Sequence, residues 1–160
     1  VRAIVGEENF RFRCTACGRC CQGPGSVYFT DADLTAIYAH LDLKTDAAQR
    51  RLYKQLIQRK ENGYHVHHTD DACMLLDEEQ RCSVYPVRPM QCSSFPFWPS
   101  TFASRDDLEE VMTECPGTMA ARDRQDEDAQ HSALATARRV NRTRREFLDP
   151  QHIQHKRFMI

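Results

Sequence analysis

The 160-residue sequence predicts a mainly α single domain with a small β-hairpin, irregular in outline and stabilised by metal. Three observations carry that expectation. Apolar residues recur at helical spacing in several segments, two short extended runs flank a polar turn, and eight cysteines fall in two groups. The length suits one core. Hydrophobic residues make up 41% and charged residues 28%, an ordinary balance for a globular chain, and the formal net charge of −1 gives no general pull toward nucleic acid or an anionic membrane. No apolar run reaches the roughly 18 residues of a membrane span. Residues 1–13 lack the continuous apolar stretch of a secretory leader. The expectation is a cytoplasmic protein without membrane or nucleic-acid partners, open to a protein partner.

Taken in order, Ser26 to Phe29 reads as extended, and Thr30 reads as a helix N-cap with Asp31 and Asp33 in the first turn. Leu34, Ile37, Tyr38 and Leu41 give that helix its apolar stripe. Thr45 and Asp46 open a second helix, expected to run to about Lys60 and to stop at Asn62-Gly63, with Leu52, Leu56 and Tyr53 inward. Tyr64 to Thr69 alternates as a strand does. Residues 72–76 and 82–85 flank the polar turn 77–81 and predict the hairpin. Arg88 to Cys92 predicts one helical turn led by Pro89, and Asp106 to Glu114 a helix stopped at Pro116-Gly117. Asp126 to Leu148 is the longest helical candidate, with Ala133, Ala137, Val140 and Phe147 on one face. The cysteine core is expected over residues 12–117, with 118–160 as a C-terminal helical extension.

The chemistry lies in the cysteines. Cys14, Cys17, Cys20 and Cys21 sit within eight residues; Cys73, Cys82, Cys92 and Cys115 are separated by 9, 10 and 23 positions. Crowded thiols without a leader read as metal ligands rather than as a disulfide framework. In C-x2-C-G-x-C-C, two intervening residues let one loop wrap a metal, and Gly18 permits a left-handed turn that aims backbone N–H groups at sulfur. Eight thiolates suffice for one or two centres. Zinc prefers two separated C-x2-C knuckles, and only the first group contains that spacing. The C-x2-C-x2-C triple and Cys115-Pro116 favour an iron–sulfur cluster over zinc.

With these residues in hand, the sequence resembles the YkgJ-type cysteine-cluster proteins, described as zinc- or iron-chelating domains. The resemblance rests on the opening C-x2-C-G-x-C-C and on Cys73-Met74-Leu75-Leu76. It continues through Cys82-Ser83-Val84-Tyr85-Pro86-Val87-Arg88-Pro89-Met90-Gln91-Cys92, Phe95-Pro96 and Cys115-Pro116-Gly117. One position departs: Ser93 stands where the family usually has arginine. A related cysteine region occurs in the longer flagellin lysine methylases. The resemblance implies metal binding by all eight cysteines, in a structural or redox role. The alternatives are a small enzyme or enzyme subunit related to those methylases, and an iron- or zinc-handling protein. On its own the chain is not expected to be an enzyme, since nucleotide, metalloprotease and nucleophile-elbow motifs are absent.

Other features have plainer readings beside the functional one. His65, His67 and His68 are expected as a polar strand face, with metal ligation as the alternative. The aromatic run of Phe95, Phe97, Trp98 and Phe102 is expected in the core, where it also suits shielding of a cluster. Residues 138–157 hold seven basic residues against two acidic ones and read as a solvated face. Arg88 is expected to pair either with thiolate charge or with Asp77 and Glu79.

Overall fold

The computed structural model describes residues 10–118, 130–131 and 133–146, with side chains described for 10–118 and 135–142. Helices dominate, beside a small three-stranded antiparallel sheet. Contacts divide the described residues into two compact units, one built from residues 20–93 and the other from 10–19 and 94–146. No helix among the described residues is long and apolar enough to cross a membrane.

In the unit of residues 20–93, β2 (Gly25–Phe29), β3 (Arg59–Glu61) and β4 (Tyr64–Thr69) form a sheet in the order β2-β4-β3. β4 lies in the middle, with Val27 opposite His67 and Phe29 opposite His65. Helix α1 (Asp31–His40) starts at Thr30, whose hydroxyl accepts from Asp33 N while the Asp33 carboxylate accepts from Thr30 N at 2.8 Å. That reciprocal capping box satisfies two otherwise orphaned N–H groups. α2 (Asp46–Leu56) starts the same way, with Thr45 accepting from Ala48 N. The expected inward residues turn inward. Ile37 and Leu56 are fully buried, and they join Phe29, Leu34, Ile57, Leu75 and Val84 in one core.

The second helix ends at Leu56, four residues before the expected Lys60. Asn62-Gly63 is not its stop signal. Both residues have positive φ, 48° and 83°, and they form the two-residue loop of the β3–β4 hairpin, with Glu61 paired to Tyr64. A two-residue loop with both φ positive matches the right-handed twist of its strands, which is why Asn-Gly occurs there. A β-carbon on Gly63 would meet nothing within 4 Å, so Gly63→Ala carries only the backbone penalty of its left-handed φ. We expect a loss of about 1 kcal/mol, read from the urea midpoint.

The hairpin expected around residues 77–81 is a tight turn rather than a regular ladder. Asp77 N donates to Arg81 O at 2.8 Å, Ser83 N donates to Leu75 O at 2.8 Å, and Leu76–Cys82 is an isolated bridge. The helical turn near Cys92 is α3 (Met90–Ser94).

In the other unit, β1 (Phe10–Arg11) pairs antiparallel with β5 (Gln130–His131). The longest expected helix therefore begins later, as α5 (Ala133–Glu146); residues 126–129 and 147–148 of that expectation lie outside the described residues. α4 (Arg105–Glu114) is capped by Ser104 and ends at Cys115. Phe10, Phe97, Phe102, Leu108 and Val140 make the core, with Phe10 set edge-on to Phe97 at 5.9 Å and to Phe102 at 5.5 Å. Phe97, Trp98 and Phe102 of the aromatic run are thus buried, and Phe95 is half-buried. Arg139 stacks over Phe97 at 3.7 Å, while Arg138 and Arg142 are solvent-exposed.

Candidate metal centre

None of the eight cysteines is in a disulfide. Five of them belong to the unit of residues 20–93: Cys20, Cys21, Cys73, Cys82 and Cys92. The backbone gathers them locally. Cys20 and Cys21 close a 3-10 turn, Arg19–Cys21. Cys73 N donates to Cys21 O at 2.8 Å, and Gln22 bridges to Ala72, so the two cysteine-bearing segments lie side by side. Cys82 sits on the Leu76–Cys82 bridge, and both Cys73 and Cys82 pack against the core. Cys92 is set by its neighbour Gln91, a buried side chain. Its amide accepts from Tyr28 N and donates to Ser26 O, each at 3.0 Å, filling one rung along the outer edge of β2. Nothing in the sequence singled out Gln91, because a lone glutamine beside a cysteine carries no pattern.

The sulfurs of Cys20 and Cys21 stand 4.0 Å apart. Two thiolates on one tetrahedral ion with bonds of about 2.3 Å stand about 3.8 Å apart. This pair therefore fits one edge of a coordination polyhedron. Among the described residues no group of three His, Cys, Asp or Glu side chains is gathered closely enough to enclose an ion. Completing a centre on the Cys20–Cys21 edge requires further thiols to turn inward.

Electrostatics separate the thiols by role. The Cys21 hydrogen bond is the largest influence on Cys20 and lowers it; Arg88 lowers it further, against burial. Cys82 is lowered to about 6, first by the Cys21 side chain and then by the Val84 backbone and Arg88, with burial and Asp77 opposing. Cys21, the donor to both, is raised. Burial raises Cys73 and Cys92. Bound metal would replace the shared proton, since coordination needs thiolates.

The metal-free protein offers a check on this arrangement. The folded value for Cys82 lies below its unfolded value of 9.0. Its thiolate therefore stabilises the fold fully above pH 9, and that contribution is lost as pH falls through about 6. The stability difference between metal-free wild type and Cys82→Ser should shrink on acidification from pH 9 to 6. Alkylation of Cys82 should persist to near pH 6, as site-resolved mass spectrometry would show.

Cys14, Cys17 and Cys115 belong to the other unit. Arg13 N donates to Gly117 O at 3.2 Å, and Arg19 Nη1 donates to Glu114 O at 3.1 Å. Those two bonds pin both ends of the Cys14–Cys17 loop against the segment holding Cys115. Gly18 has the expected positive φ, 74°, and Ala16 shares it at 55°. The alanine was not anticipated, and left-handed backbone at a non-glycine stores about 1 kcal/mol.

The histidines do not join a metal cluster among the described residues. His65 and His67 share one face of β4, as the strand period requires, and both are buried, as is Val66 on the other face. His65 spends one ring nitrogen on Asp31 Oδ1 at 2.8 Å and the other on the Tyr53 hydroxyl at 2.9 Å. His67 donates from Nδ1 to Leu56 O at 2.8 Å, and burial lowers its basicity. His68 bonds Ser26 Oγ at 2.9 Å.

Cysteine thiols carried on short turns are donors of the kind that metal-chelating proteins use. The chain belongs to the CxxCxxCC family, described as "Putative zinc- or iron-chelating domain", whose model matches residues 13–117. The chain is also 29% identical over 100 residues to a protein of Methanocaldococcus jannaschii described as uncharacterized. That match covers 61% of this chain and 50% of the archaeal one, so the chain spans about half the length of this curated relative. No solved structure matches it.

Proposed function

We propose that the chain is a metal-binding module in which Cys20, Cys21, Cys73, Cys82 and Cys92 provide the thiolates of one centre. Cys14, Cys17 and Cys115 are further thiolate donors of the same module. The observation that carries this reading is the Cys20–Cys21 pair at 4.0 Å within a unit that holds five thiols. The role is structural or redox, and we favour iron–sulfur as the metal form because of the C-x2-C-x2-C spacing and Cys115-Pro116. Zinc is the second reading. It is favoured by the Cys20–Cys21 separation, which suits two ligands of a single tetrahedral ion. A bound metal supplies a cross-link between turns, and in the iron form an electron-accepting centre.

Anaerobic isolation followed by visible absorption, elemental analysis and acid-labile sulfide decides between them. Iron, sulfide and visible colour are the expected result. Colourless protein with stoichiometric zinc and no sulfide would replace the iron–sulfur assignment while leaving the thiolate ligands in place. Less than one metal per chain under reducing conditions would overturn the proposal.

A further inference from the structure

A second set of reactive groups lies on the sheet face opposite Val27 and Phe29, the two β2 side chains that join the core. Strand pairing sets Ser26 of β2 directly across from His68 of β4. Tyr28 N and Ser26 O point to the outer edge of β2, where the Gln91 amide holds them. Residues 26 and 68 are therefore a pair without ladder hydrogen bonds, the kind whose side chains approach most closely. Ser26 Oγ stands 2.9 Å from His68 Nδ1. The other ring nitrogen, Nε2, stands 3.3 Å from Oδ1 of Asp70, the residue that follows β4. A carboxylate accepts, so Nε2 carries the ring proton, and Nδ1 accepts from the Ser26 hydroxyl. His68 N donates to Gln58 Oε1 at 2.6 Å, which holds the strand beneath the ring. Ser26 lies within a strand rather than on a nucleophile elbow, so no sequence motif marks the set.

A hydroxyl bonded to a neutral imidazole, whose far nitrogen is held by a carboxylate, is the arrangement that activates a serine as nucleophile. We propose that Ser26, His68 and Asp70 form an acyl-transfer site acting on carboxylic esters of aromatic alcohols. Ser26 is the nucleophile, His68 the general base and Asp70 a positioning residue. The Ser26 oxygen bonds the acyl carbon as its proton passes to His68 Nδ1. The leaving alkoxide takes that proton and departs as the alcohol, which leaves acyl-Ser26. Water then adds to the acyl carbon while His68 takes its proton, and Ser26 regains that proton as the carboxylic acid leaves. The N–H of Ser26 lies on the outer edge of β2 with its carbonyl, and it is the backbone donor for the developing oxyanion. Tyr28 and Tyr64 account for the aromatic alcohol. They share the face of Ser26 and His68, and their rings meet edge-on at 6.1 Å beside the hydroxyl. Ser26 is half-buried and His68 exposed, so substrate reaches both from solvent. The inference is independent of the thiolate centre.

The test uses the full chain and an alkyl fluorophosphonate, a probe that bonds an activated serine oxygen with loss of fluoride. Peptide mass spectrometry should place the label on Ser26. His68→Gln should slow that labelling by about 100-fold or more, the scale on which a lost general base acts. p-Nitrophenyl acetate gives the turnover readout, over a background from the thiols that every variant shares. Above that background Ser26→Ala should lose all hydrolysis. Asp70→Asn should lower kcat by about tenfold with KM unchanged, since an exposed contact at 3.3 Å orients the ring less firmly than a buried one. Far-UV circular dichroism checks that each variant folds. An unlabelled Ser26 in the wild-type chain would overturn the proposal, and that result depends on no variant. Wild-type labelling in His68→Gln, or wild-type hydrolysis in Ser26→Ala, would overturn it as well.

Discussion

Replacing Cys82 with serine is expected to lower metal occupancy and to remove several kcal/mol of metal-linked stability. The sulfur is half-buried, packs against the Phe29–Ile37–Leu56 core and stands on the Leu76–Cys82 bridge. On the proposed reading its loss removes a ligand without removing the fold's apolar support. Structural zinc in small domains contributes about 10–16 kcal/mol of apparent binding free energy, which is folding free energy wherever the unfolded chain lacks the site. A serine hydroxyl is a far poorer ligand for a soft thiolate site. The measurement is the thermal midpoint of wild type and variant, each with metal and after complete demetallation. Wild type should fall steeply on demetallation and the variant should hardly move. If full demetallation leaves the wild-type midpoint unchanged, the metal is not part of the fold.

Gly117→Ala is expected to cost about 3 kcal/mol, at the upper end of what forced overpacking produces. The reason differs from that at Gly63. A β-carbon at 117 would lie 2.5 Å from the Arg13 carbonyl oxygen and 3.0 Å from a Phe12 ring carbon. Backbone oxygen cannot swing aside as a side-chain tip can. The segment must move, and the hydrogen bond from Arg13 N to Gly117 O is strained with it. That bond holds the start of the Cys14–Cys17 loop. Thiol accessibility at Cys115, buried two residues before Gly117, should therefore rise in the variant together with the drop in urea midpoint. An unchanged midpoint would show that the two segments part at no cost.

Local signals read well wherever the cause was local. Thr30 and Thr45 cap the helices that follow them because a hydroxyl three residues before an N–H needs no tertiary help. Ile37 and Leu56 are buried because the helical period puts them on one stripe. Asn62-Gly63 was misread for an instructive reason. The same dipeptide ends helices and turns hairpins, and only the presence of β4 as a pairing partner selects the second use. The start of the long C-terminal helix was misplaced similarly. Gln130 and His131 pair with Phe10 and Arg11 from more than a hundred positions away, and no local pattern carries that contact.

The sequence by itself determined that this is a cysteine-rich chelating domain. Thiol count, C-x2-C-G-x-C-C spacing and the family motif are properties of residue order, and the capacity to chelate a thiophilic metal goes with them. Tertiary structure decided which thiols share a unit, that His65 is spent on Asp31 and Tyr53, and that Arg88 turns onto Tyr85 while Arg81 takes Asp77 and Glu79. Those outcomes are competitions for partners. A side chain with several chemically acceptable neighbours pairs with the one that backbone pairing brings within about 3 Å, and that distance is set by strands and turns far apart in the chain.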